Sequence, residues 1–85
     1  MSTWKKALER LYLKPKDYTY TEAKSLLLHL GFEEINKGKT SGSRVKFYRK
    51  SDNKAIDLHK PHPGDIMKPY LVDILIAFLR DLGEI

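Results

Sequence analysis

The sequence predicts an α+β fold: two helices, three antiparallel strands and a last helix, with the helices on one face of the sheet and the other face wet. Three observations lead there. A capping signal at Thr19 opens a helical apolar stripe that closes at Gly31. Two segments of apolar-polar alternation, 43–50 and 55–59, flank a polar turn. A longer helical stripe, from Leu71 to Leu82, then ends at Gly83.

Taken in order, Trp4, Ala7, Leu8 and Leu11 follow the i, i+3, i+4, i+7 spacing of one apolar stripe. This predicts an amphipathic helix over 3–12, with Ser2 as N-cap and Pro15 as its stop. Trp4 shares the stripe with two leucines and so reads as a core anchor rather than a base-stacking ring. Thr19-Tyr20-Thr21-Glu22 matches a capping box, in which the threonine hydroxyl accepts the N3 amide and the glutamate reaches back to the Thr19 amide. Ala23, Leu26, Leu27 and Leu30 line one face of the helix that follows, whereas His29 lies off it and reads as a surface residue.

Phe32 to Lys37 reads as a short strand and Gly38 to Gly42 as a loop. In 43–50, Val45 and Phe47 fall on one face and Arg44, Lys46, Tyr48 and Lys50 on the other. After the turn Ser51-Asp52-Asn53-Lys54, Ile56 and Leu58 point inward and Asp57 and His59 outward, so the three strands form a meander. Pro61-His62-Pro63-Gly64 cannot continue a ladder, because its prolines lack amide donors. Asp65 is placed to cap the last helix and Pro69 fits its first turn; Leu71, Ile74, Leu75, Phe78, Leu79 and Leu82 recur at helical spacing. Val72 and Ile76 form a second strip, predicted to pack against the first helix. The expected organisation is one domain over 1–85, with a helical extension at 1–15 ahead of an αβββα core at 19–85.

Composition excludes several classes. Apolar residues make up 41% and charged residues 32%, a globular balance rather than a disordered one. With no cysteine, neither disulfides nor thiolate metal sites are available. His59 and His62 are two imidazoles with only Asp57 or Asp65 as further ligands, so no metal is expected. Gly38-Lys39-Thr40-Ser41 lacks the full spacing of a phosphate-binding loop and leads into a strand, so no small-molecule cofactor is expected either. The apolar stretch from Tyr70 to Leu79 is broken by Asp73 and too short to span a bilayer, and the N-terminus carries no secretion signal. No membrane partner is expected, and the expected location is cytoplasmic.

The net charge is +5, but segment 37–50 alone carries Lys37, Lys39, Arg44, Lys46, Arg49 and Lys50 with no acid, so the remainder is close to neutral. Phe47 and Tyr48 sit among these cations. A cationic, partly aromatic ribbon suits a nucleic-acid backbone. Lys37, Lys39, Ser43, Arg44, Lys46, Tyr48, Lys50 and Lys60 are the candidate RNA contacts. His59 and His62 are the groups best able to move protons near neutral pH.

The αβββα order is that of the double-stranded-RNA-binding fold. At Gly31-Phe32, Gly42-Ser43-Arg44 and His59-Lys60-Pro61-His62-Pro63-Gly64, with a long helix after them, the chain resembles the HicA toxins of bacterial type II toxin-antitoxin systems. That resemblance implies a small double-stranded-RNA-binding-like protein, an mRNA interferase that cleaves without a metal ion and is neutralised by a HicB-like antitoxin. In the family pattern Gly-Ser is followed by the histidine taken to be catalytic; here the position holds Arg44. A guanidinium stabilises developing phosphorane charge but stays protonated, so it cannot serve as the base. If RNA is cut, proton transfer falls to His62 or His59, with Arg44 as phosphate clamp. Nothing designates a base for Ser43, whose hydroxyl reads as a phosphate contact or loop cap. The alternative is a non-catalytic RNA-binding or antitoxin-binding module of the same fold.

Overall fold

The computed structural model describes residues 3–35, 44–61 and 64–85. Its elements follow the predicted order: α1 (Thr3–Tyr12), α2 (Tyr20–His29), β1 (Glu33–Ile35), β2 (Arg44–Arg49), β3 (Lys54–His59) and α3 (Pro69–Asp81). The expected N-cap Ser2 and the expected loop at 38–42 lie outside the described residues. The sheet is an antiparallel meander in the order β1-β2-β3. Val45, Phe47, Ile56 and Leu58 are buried while Arg44, Lys46, Asp57 and His59 are exposed, so one sheet face meets the helices and the other is open. The fold is therefore α+β, an αβββα arrangement with an extra helix in front.

The capping box forms as its spacing dictates. The Glu22 amide donates to Thr19 Oγ1 at 3.1 Å and the Thr19 amide donates to Glu22 Oε1 at 2.9 Å. At the other end Gly31 takes a φ of +97°, a left-handed conformation that ends α2 where a side chain would be strained.

Asp65 corrects one expectation. It does not cap α3, which starts after Lys68 with Pro69 in its first turn and no side-chain cap. Instead the Asp65 carbonyl accepts from the Tyr20 amide at 2.7 Å and its carboxylate accepts from the Thr21 amide at 3.2 Å. Together with the capping box, this satisfies the free amides of the first turn of α2. The Met67 amide donates to the Tyr18 carbonyl at 2.8 Å, so the segments leading into α2 and α3 are laced side by side.

The helical layer closes over a core that includes Leu11, Tyr18, Leu26, Leu27, Met67 and Leu75. Tyr18 donates its hydroxyl to the Ala7 carbonyl at 2.7 Å, and Arg10 reaches Glu22 at 2.7 Å, which fastens α1 to the start of α2. Trp4 is half-buried against this core as expected, and its ring stacks on exposed His29 with centroids 3.6 Å apart. Val72 and Ile76 are buried, and α3 touches α1. Ile74 departs from the expected stripe and is 45% exposed, because the buried face of α3 is Leu71, Val72, Leu75, Ile76 and Leu79.

Candidate nucleic-acid interface

Strand parity builds the open face. Val45 and Phe47 of β2 and Ile56 and Leu58 of β3 point inward, which turns Arg44, Lys46 and Tyr48 of β2, and Asp57 and His59 of β3, toward solvent. Cross-strand register then pairs them: Arg44 lies opposite His59, Lys46 opposite Asp57, and Tyr48 opposite Ala55 on one side and Glu33 on the other. Directly opposed residues on one face have Cβ atoms about 5 Å apart, so the Arg44 guanidinium and His59 imidazole share one patch. Arg44 and Lys46 have no carboxylate within ion-pair distance among the described residues. Asp57 and Glu33 sit on the same face, which is therefore mixed in charge and most cationic at the Arg44 end.

The other expected contacts divide. Tyr48 bonds through its hydroxyl to Asn53, which orients the ring along the hairpin. Lys50 is exposed in the turn after β2. Lys60 follows His59 on the opposite side: its ammonium lies 5.8 Å from the centroid of the Tyr20 ring, toward the helices. Lys37, Lys39, Ser43 and His62 lie outside the described residues. Arg49, counted in the basic ribbon, faces away from the open sheet. It donates to Asp52 at 2.7 Å, to Glu84 at 2.9 Å and to the Leu30 carbonyl at 3.1 Å, with its guanidinium over the Phe32 ring. The alternation that places Phe47 inward does the same for Arg49, so the signal was in the sequence.

Beneath α2 the structure gathers a second polar cluster. The Tyr20 hydroxyl donates to Glu34 at 2.5 Å and Lys24 pairs with the same carboxylate at 3.0 Å. These two contacts, the Tyr20 bond first, hold the Glu34 carboxyl below its ordinary range, while burial and the adjacent carboxylate push the Tyr20 phenol up. Beside this cluster is a pocket of about 400 Å³, lined by Tyr20, Thr21, Lys24, Ser25, Leu28, Lys60 and Asp65. Sequence reasoning did not find it, since its walls come from positions up to 45 residues apart, between Tyr20 and Asp65. No cluster of three or more potential metal ligands occurs among the described residues.

A family model described as the HicA toxin of bacterial toxin-antitoxin matches residues 20–83. The chain belongs to the HicA toxin family. The HicA match spans α2, the whole sheet and α3, and so includes the Arg44–His59 patch and the pocket; α1 lies ahead of it. Membership makes the chain a toxin of a toxin-antitoxin pair. Comparison with curated proteins and with solved structures gives no match. Among the described residues no helix is long and apolar enough to cross a membrane.

Proposed function

We propose that this HicA-family chain acts on mRNA as a metal-independent endoribonuclease in the cytoplasm, in a type II system whose HicB-like antitoxin neutralises it. The supporting observation is the cross-strand pairing of Arg44 with His59 on the open face. It puts a permanent cation and a titratable imidazole side by side, which a 2′-hydroxyl attack on phosphorus requires. His59 takes the 2′-hydroxyl proton as the 2′-oxygen bonds to phosphorus, Arg44 neutralises the crowded phosphorane, and the 5′-oxygen leaves with a proton from an acid. His62 is the second imidazole assigned to this exchange from the sequence, and Ser43, Lys37, Lys39, Lys46, Tyr48, Lys50 and Lys60 are assigned to holding the strand. The whole chain acts as one domain, with the 1–15 extension supporting the 19–85 core.

Purified protein incubated with RNA in excess EDTA tests the reading. Cleavage is expected, with loss in Arg44→Ala and loss in His59→Ala or His62→Ala. Intact RNA together with unaltered cell growth on expression removes the enzymatic reading. Arg44 itself favours a second one: a guanidinium in place of the family histidine holds RNA without cutting it. That case gives salt-sensitive RNA binding and no products.

A further inference from the structure

We propose that the pocket between α2 and Lys60 seats one unstacked nucleotide of a single-stranded RNA whose backbone continues round the end of the sheet onto the Arg44–His59 patch. The proposal rests on the RNA-directed reading and names the form of RNA that the site takes.

His59 faces the open sheet and Lys60, the next residue, faces the helices, so the two place their side chains on opposite sides of the sheet's end. An RNA strand engaging both must wrap that end. On the helix side Lys60 has no carboxylate within ion-pair distance among the described residues, and it stands at the rim of the 400 Å³ pocket. This volume lies at the small end of ligand sites and suits one nucleotide rather than a helix groove.

The lining fits a base. Leu28 is 45% exposed and with Tyr20 gives an apolar wall. Ser25 and the Asp65 carboxylate supply hydrogen-bonding groups for a base edge, the carboxylate being fixed by the Thr21 amide. Lys24, which lines the pocket, is held by Glu34 at 3.0 Å. Of the charged lining residues, Lys24 is already paired with Glu34, which is not part of the lining, and this leaves Lys60 set against Asp65. A bare phosphate would gain little there, whereas a base with N–H donors and a flanking phosphate at Lys60 meets a partner for each part. A duplex cannot present such a base without first opening.

Binding of a short fluorescent single-stranded RNA, and of the same sequence annealed as a duplex, tests this by anisotropy. Two variants address the pocket outside the phosphate-gripping residues: Leu28→Glu, at an exposed position, and Ser25→Tyr, which fills the space without adding charge. Thermal unfolding confirms that they fold. Each is expected to weaken single-strand binding by about fivefold or more, the lower end of what loss of one seated base costs, with little change for duplex. Amide spectra should also show Thr21, Lys24 and Leu28 shifting with the single strand.

Wild-type affinity in both variants, with Arg44→Ala weakened, overturns the pocket and leaves the sheet interface standing. Insensitivity of RNA binding to Arg44→Ala and Lys46→Ala overturns both. Equal losses for duplex and single strand refute the single-strand assignment. If the variants keep RNA affinity but are no longer rescued in growth by a co-expressed HicB-like antitoxin, the pocket belongs to a protein interface and the proposal fails.

Discussion

Arg49 joins the hairpin turn, the carbonyl at the end of α2 and the segment after α3, with its side chain only 11% exposed. Truncation to Ala leaves two carboxylates and a carbonyl without their donor, and should lower unfolding free energy by about 2 kcal/mol in urea titration. Arg49→Lys keeps the charge but not the fork, and should recover only part of the loss. Glu34 carries a different signature. Its carboxyl is held low in the folded chain, so it stabilises the protein at pH above the ordinary carboxylate range, and that stability disappears as pH falls through the lowered value. Unfolding free energy should therefore decline as pH falls through the ordinary carboxylate range and below it, and decline less in Glu34→Gln, as followed by urea titration at each pH.

Elements differ in how local their instructions are. The capping box lies within four consecutive residues, Thr19 to Glu22, and was legible for that reason. Thr19→Ala should cost about 1 kcal/mol, read from thermal unfolding. Alternation in β2 and β3 was legible too, because Val45 and Phe47, and then Ile56 and Leu58, recur at every second position. The role of Asp65 was not: its partner amide on Thr21 is 44 residues away, and an acidic residue shortly before a helix carries the same local mark whichever helix it serves. Ile74 misled for a related reason. An apolar residue next to the buried stripe satisfies helical spacing, and only the packing of α3 over β3 and against α1 decides which edge of the stripe is covered.

At the scale of the molecule, one sheet end presents Arg44 and His59 on its open side and Lys60 on its helix side. Affinity for single-stranded RNA should fall linearly in a plot of log K against log salt, and Arg44→Ala or Lys46→Ala should each reduce the slope by about one phosphate contact. Slopes unchanged in both variants would detach the open face from RNA. The Arg44–His59 pairing was half legible: parity put both side chains outward, but register is a property of two strands together and no single segment states it. The pocket under α2 belongs wholly to tertiary structure.

The ring stack of Trp4 on His29 gives the molecule a built-in optical reporter. This is the chain's single tryptophan, and it lies on the helix ahead of the family-matched residues with its partner inside them. Its fluorescence emission consequently registers whether that leading segment is docked, while far-ultraviolet ellipticity follows the helices as a set. Because Leu11 and Ala7 are fully buried, the two signals should trace one cooperative transition, and an emission change at lower denaturant would reveal a separable appendage.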